Sequence, residues 1–485
     1  MKLARPAYLL AVSIILFLAL FLRVAPLSQE SVDGDELFSR RVAVASTQQG
    51  WEMVRDDLVH PPLYYFILKA TMFPSDTASA LSIRALSLAA GISGIALLFL
   101  FGLTVPGLRV PVLLAGLLLA VNKMHIYYSQ QARSYAFYCL LVTLLLLWSA
   151  VVTRYGHRFL YWTAGTVLMS MIVWTHYIGT LYCAACIFPI LFMKDGGIRK
   201  RAIISTILAA ALFLPWLIPE LSVYRAKAGL GGNLGWQGAP SLAELKYTVV
   251  QFVGLSNFRG ATTVGLAVGV ILICCALLPA FKRQPEDLPS PLKSILGIAA
   301  VMPPILLFLL TQRPFNLTIF GERHLLPSIV PVVLLMCYGL FRIASAGPRF
   351  RSIMIAGLGT VVLCALQITP VYRDWPGPIR QPYEAIANDL RELAPGSPVY
   401  TTWEYGIGEP VSFYLSNNRK TETLPTVIDP VRFPQRFILL YRPGAEPEAN
   451  LIKPLLTAYT VQADRYYSGK GAPTFGTRLL LLQAQ

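Results

Sequence analysis

Long apolar runs recur through the first 370 residues of the chain and then stop. Many of them are close to the ~20 residues that a helix needs to cross the hydrocarbon core of a bilayer. A chain that is 55% hydrophobic and only 14% charged over 485 residues carries too few charges for an ordinary soluble surface. The pattern predicts a polytopic membrane protein with eleven crossings, at about 7–24, 80–104, 111–128, 135–153, 159–175, 177–193, 202–219, 262–281, 294–311, 325–343 and 352–370.

Charge orients these crossings. Short connections rich in Lys and Arg stay on the inner side, and "KDGGIRKR" (194–201) and "FKRQPEDLPSPLK" (281–293) are of that kind. "MKLARPAYLL" opens like a signal peptide, but Arg23 follows the apolar run and no small-x-small cleavage site appears, so the first segment reads as an uncleaved anchor with Lys2 and Arg5 inside. Eleven crossings then place the tail from residue 371 outside. The net charge of +16 follows mostly from this topology, and nucleic acid is not needed to explain it. All seven cysteines fall in apolar spans, so no structural disulfide is expected on the oxidising side. Cys183 and Cys186 form a CxxC within a span and read as small packing residues.

The first outer loop, about 25–79, predicts two short helices lying on the membrane surface: "DELFSRRVAVASTQQG" (35–50), ending at Gly50, and "HPPLYYFILKATMF" (60–73). A second outer loop, about 220–261, is rich in Gly ("KAGLGGNLGWQGAP") and reads as a mobile segment, a lid or a plain loop. The tail from 371 to 485 reads as a small α/β domain, with helical spacing in "YEAIANDLREL" and strand character in "SPVYTT", "RFILLYR" and "RLLLLQ".

Candidate chemistry gathers at the outer ends of the spans. Asp33, Asp35 and Glu36 follow the first span. Carboxylates that lose hydration at the acyl boundary have raised pKa values, suited to general-base work, and the same acids can cap a helix. In "HPP" the prolines put His60 near a helix start, where anions are attracted, so it reads as a phosphate contact, a metal ligand or a solvated surface group. "YYSQQARSYAFY" (127–138) sets Arg133 among Tyr127, Tyr128 and Tyr135 at an outer mouth, "WTHYIG" (174–179) adds His176, and "FGERHLLP" (320–327) adds Glu322, Arg323 and His324.

Taken in order, a "DE" after the first span, "HPPLYY", "SIRALSLAAG", "YYSQQARSYAF", "THY" and "ERHLLP" resemble the motifs of the GT-C glycosyltransferases, most nearly the branch of protein O-mannosyltransferases and aminoarabinose transferases (glycosyltransferase 39 type). The resemblance covers about residues 1–345. It implies a mainly α, polytopic fold of GT-C architecture, with a catalytic transmembrane domain over 1–370 and an extracytoplasmic α/β domain over 371–485. It implies a multi-pass protein of a bacterial-type inner membrane that takes sugar from a polyprenyl-phosphate carrier in the lipid and moves it, with inversion, to a lipid, glycan or protein acceptor. The family's Asp-Glu pair falls on Asp35 and Glu36, with Asp35 the expected catalytic carboxylate. Asp33, His60, Tyr64, Arg133, Tyr135, His176, Glu322 and Arg323 are the expected substrate contacts. A divalent metal stays an open requirement, with Glu36 and His60 as candidate ligands, because the aminoarabinose branch tends to carry Glu-Lys where this chain has Val59 and His60. Three other readings stay open: a ligase or polymerase of lipid-linked glycans, a transporter or flippase, and a scaffold or sensor whose tail is the working part. A transporter is expected to show charged or Gly/Pro-broken segments near the midplane, whereas most acids here lie in loops or at membrane mouths.

Overall fold

The computed structural model describes residues 5–72, 79–105, 108–227, 239–253, 261–278, 288–315, 317, 319–345, 354–355, 357–365, 380–415, 419–425, 433–443, 446–469 and 476–485. The Gly-rich stretch of the second outer loop, most of "FKRQPEDLPSPLK" and much of the last apolar segment lie outside them. The chain divides into two compact units: Met1–Arg23, Val42–Thr77 and Arg84–Val371 make the first, and Val24–Arg41, Ala78–Ile83 and Tyr372–Gln485 make the second.

The helices before the tail are α1 (Arg5–Val24), α2 (Gly34–Val44), α3 (Thr47–Asp57), α4 (Leu63–Thr71), α5 (Ala80–Thr104), α6 (Arg109–Val121), α7 (Lys123–Ser129), α8 (Ser134–Tyr155), α9 (Phe159–Val173), α10 (Gly179–Ile190), α11 (Gly196–Ala226), α12 (Leu242–Val253), α13 (Ala261–Leu277), α14 (Ser290–Thr311) and α15 (Ile329–Ser345). Among the described residues six helices are long and apolar enough to cross a membrane, or seven if the α6–α7 pair, bent by 64°, is one span. Three shorter apolar helices, Phe159–Val173, Gly179–Ile190 and Gly265–Leu277, fall where three further crossings are expected. Large apolar side chains are exposed along these helices, among them Phe17, Ile207, Leu212 and Leu309. Such a surface suits lipid and not water.

The α6–α7 bend has an identifiable cause. Asn122 interrupts the helix, and its side chain accepts from His125 N–H at 2.9 Å to start α7. The carbonyls this leaves at the end of α6 are taken up by Arg23, which donates to Ala120 O at 3.0 Å and Leu119 O at 3.1 Å. Arg23, which flanks the first apolar run in sequence, is fully buried.

Two expectations for the outer loops need correction. The single helix expected over 35–50 is broken, because Ser46 opens a capping box with Gln49 and starts α3, leaving Gly50 inside that helix. The segment read as a mobile loop contains α12, whose start carries the same device. The Ser241 hydroxyl accepts Glu244 N–H at 3.3 Å, and the Ser241 backbone N–H donates to the Glu244 carboxylate at 2.6 Å.

The tail carries a five-stranded sheet in the order β2-β1-β3-β5-β4, with β1 (Val399–Thr401), β2 (Thr421–Thr423), β3 (Arg436–Tyr441), β4 (Tyr459–Tyr467) and β5 (Thr477–Ala484). β1 runs parallel to β2 and β3, while β5 is antiparallel to β3 and β4. Both faces are covered, and the pleat of β3 sorts its side chains between them. Ile438 and Leu440 pack with Ile386 and Leu390 of α16 (Tyr383–Leu393) and Val411 of α17 (Glu409–Tyr414). Phe437 and Leu439 pack with Ile452 and Leu455 of α18 (Glu446–Ala458). Burial on both faces explains why "RFILLY" is a continuous apolar run and not an alternating one.

Candidate functional site

The three carboxylates sit in the second unit. Asp33 caps α2: its Oδ1 accepts Glu36 N–H at 2.9 Å, and its own N–H donates to Glu36 Oε2 at 3.2 Å. Glu36 is fully buried and pairs with Arg380 at 2.8 Å, while the Arg380 backbone N–H donates to Glu30 Oε2 at 3.1 Å. Asp35 is half-buried and accepts the Tyr405 hydroxyl at 2.8 Å. Asp33 and Glu36 thus hold the helix start between them, and Asp35 points elsewhere. Burial and the adjacent Glu36 push Asp33 up to about 6, against the opposing pull of Arg380. Gly34 is required here because a Cβ would lie 2.4 Å from Tyr405 O.

The remaining expected residues belong to the first unit, and most of them converge. Leu58 ends α3 in the left-handed region (φ 60°), which turns the chain into "HPP". Leu63 N–H then donates to Trp174 O at 3.0 Å, tying that turn to the end of α9 just before His176. His324 is carried on a short 3₁₀ turn, Glu322–Ser328, anchored where Ser328 Oγ meets Tyr182 Oη at 2.7 Å. The imidazoles of His60, His176 and His324 come together with ring centroids 4.9 Å (His60–His176), 5.0 Å (His176–His324) and 6.2 Å (His60–His324) apart. All three are buried.

Arg133 lies against this cluster at the start of α8, buried, with Nη1 donating to Tyr65 Oη at 3.2 Å and Nη2 at 3.3 Å from His60 Nδ1. Tyr64 acts on Arg133 indirectly: its hydroxyl meets Ser87 Oγ at 2.9 Å, and Ser87 donates to Arg133 O at 3.1 Å. The Tyr135 ring stands beside all three histidines, 5.6 to 6.2 Å from each. Glu322 faces away toward Tyr128, whose hydroxyl it accepts at 3.2 Å, and toward Gln251 of α12. Arg323 is half-buried, and its charge reaches His60 and His176.

Burial, aided by Arg133, holds His60 well below its ordinary value, and burial with Arg323 and Arg133 lowers His176 to about 3. Both imidazoles are neutral at pH 7, and the lone pair of each sits on Nδ1, where His60 accepts from Arg133 and His176 from Ile178 N–H. A cavity of about 280 Å³ opens beside them, lined by His176, His324, Tyr177, Glu220, Leu221 and Ile319. Sequence reasoning missed Glu220, a buried acid on α11 that accepts the Tyr177 hydroxyl. "WLIPELS" places it at the mouth of an apolar span, the same cue that singled out Asp35. It also missed Tyr138, stacked on His176 at 4.8 Å, and Arg380.

No family model matches the chain, and no curated protein matches its sequence. Solved structures do match. ArnT from Cupriavidus metallidurans in the apo state superposes with a TM-score of 0.56 at 13% identity, covering 98% of this chain and 97% of ArnT. This is a GT-C fold. ArnT bound to undecaprenyl phosphate gives 0.55 at 14% identity with the same coverage. The apo Archaeoglobus fulgidus oligosaccharyltransferase gives 0.52 at 11% identity, covering 87% of this chain and 65% of the other. The GT-C fold accounts for a helical membrane part followed by a separate small sheet domain.

Proposed function

We propose that this chain is an inverting glycosyltransferase that takes sugar from a polyprenyl-phosphate carrier at the outer face of a bacterial-type inner membrane. The observation that carries the reading is a buried cation, Arg133, set among imidazoles and tyrosines beside an apolar-walled cavity, in the fold of an enzyme solved with undecaprenyl phosphate bound. The carrier phosphate is an anion that must be gripped where lipid ends, and a guanidinium at the start of a 22-residue helix suits it in charge and shape.

In this scheme Asp35 removes the proton from the acceptor hydroxyl, the acceptor oxygen bonds to the anomeric carbon, and the bond from that carbon to the phosphate oxygen breaks. The phosphate leaves as an anion stabilised by Arg133, Arg323 and His60, and the anomeric centre inverts. Asp33 and Glu36 position Asp35, Tyr64 positions Arg133, and Tyr135, His176 and Glu322 shape the donor's surroundings. The membrane part over 1–370, with eleven crossings and its amino terminus inside, carries the reaction, and the 371–485 domain stands outside. Membrane lipid surrounds the site, and the acceptor is a lipid, a glycan or a protein.

The test compares membrane glycans and glycolipids by mass spectrometry from cells carrying the parent or Asp35→Asn, alongside binding of undecaprenyl phosphate to the purified protein. The reading expects a species that differs by one sugar unit and saturable carrier binding. Identical profiles without carrier binding would sink it. Topology is tested separately by labelling a cysteine placed at exposed Lys453 in intact cells; labelling only after permeabilisation would reverse the tail's assignment.

A further inference from the structure

We propose that His60, His176 and His324 together hold one divalent transition-metal ion of the zinc class. The three residues arrive from three separate segments, yet each offers a ring nitrogen and these nitrogens all lie within 4.8 Å of one another. Tetrahedral zinc with Zn–N bonds of about 2.0–2.1 Å sets its ligand nitrogens roughly 3.3 Å apart. The cluster brackets that value, since His176 Nε2 and His324 Nδ1 are 2.9 Å apart.

The surroundings hold the rings as a ligand set needs. Tyr138 stacks on His176 with planes 16° apart, and Tyr135 stands edge-on to His60 and His324. Two buried polar atoms here have no hydrogen-bond partner among the described residues, His60 Nε2 and Tyr135 Oη. A buried polar atom left this way costs free energy, and a bound ion with an oxygen ligand is one of the few occupants that answers both. The donor set is all imidazole nitrogen, which disfavours magnesium and calcium and suits zinc, copper, nickel or iron.

Entry of the ion has a definite local cost. Ile178 N–H donates to His176 Nδ1 at 3.2 Å, so in the metal-free protein the ring proton sits on Nε2 and is shared with His324. Metal on Nε2 replaces that shared proton, which passes to Nδ1 and gives up the long Ile178 contact; on His60, whose Nδ1 accepts from Arg133 Nη2 at 3.3 Å, metal on Nε2 likewise moves the ring proton to Nδ1 and gives up that contact. Three protein ligands leave a fourth position for an oxygen ligand, as in catalytic rather than structural zinc sites. That a carrier phosphate oxygen takes this position rests on the functional reading above.

The experiment uses the full chain in detergent, stripped with a chelator and titrated with Zn²⁺ or Co²⁺ alone. One ion per chain is expected by elemental analysis, with the visible absorption of tetrahedral Co²⁺ and a higher melting temperature in Zn²⁺. His60→Ala, His176→Ala and His324→Ala should each weaken binding at least tenfold, while His157→Ala, an exposed histidine, should not. His60→Gln repeats the measurement should the alanine variant fail to fold. Absence of stoichiometric binding and of a melting shift in the parent overturns the site, as does binding that all three substitutions leave unchanged. No sugar donor is present, so this failure is separate from a failure of transfer.

Discussion

The carboxylates of the second unit and the histidines of the first are both polar clusters set among apolar residues, and they differ in how fully their own chain satisfies them. Glu36 has Arg380, Asp33 has the start of α2, and Asp35 has the Tyr405 hydroxyl. Among the histidines, His60 Nε2 and the neighbouring Tyr135 hydroxyl find no partner among the described residues. A satisfied cluster holds geometry, and a cluster with spare valences is built for something that arrives. The first therefore should respond to mutation chiefly through folding, with Asp35 as its exception, and the second chiefly through binding.

Asp35→Asn breaks that division most sharply. It should lower transfer by about 10²- to 10⁴-fold, the range of a lost general base, with melting near that of the parent. Asp33→Asn should cost far less, because Asn caps a helix about as well as Asp. If Asp33→Asn proved the more damaging at equal expression, the motif would be aligned two residues away.

Arg380→Ala tests the structural half of the cluster. Removing one member of a buried ion pair leaves the Glu36 charge without that counter-ion, and the expected loss is about 3–5 kcal/mol of stability, read as a lower unfolding midpoint. A variant that melted like the parent would show that Glu36 finds another partner or takes up a proton.

Arg133→Lys keeps the charge but removes the fork that fits phosphate oxygens. Transfer and carrier binding should fall about ten- to hundredfold, in line with the ~1.5–3 kcal/mol of a charge-assisted contact, and His60→Ala should lose less. Parent-like carrier binding by Arg133→Lys and Arg133→Ala together would move the phosphate site to Arg323 or His176.

The smallest effect is in pH, where the clusters oppose each other. His60 and His176 have folded values below the unfolded 6.5, so the stability they contribute is present above about 6.5 and declines as pH falls below it. Asp33, raised from 3.8 to about 6, binds its proton more tightly when folded, so its contribution is present at low pH and lost as pH rises through that interval. Read by difference, the melting temperature of the metal-free parent should fall between pH 7 and pH 5 relative to that of His176→Ala. An unchanged slope would mean that the ring is already charged in the folded protein.

Much of this was legible in the sequence because it depends on local pattern. The α4 and α16 segments, and the strands β1, β3 and β5, follow from apolar spacing and turn residues over a few positions. The Ser46 and Ser241 caps are equally local, as "STQQ" and "SLAE", but they sit beside a continuous helical pattern and a Gly-rich stretch that mask them. β4, with a mostly exposed burial pattern, carries no comparable apolar cue and is defined by its pairing with β5.

The sequence by itself determined that the chain is a membrane protein and where its apolar segments and polar residues fall along it, because hydrophobic transfer acts on each segment independently of the rest. Only the tertiary structure decided which of those residues share a site. Residues 60, 133, 176 and 324 are neighbours because helix packing places three turns and a helix start together, and no spacing along the chain encodes that distance.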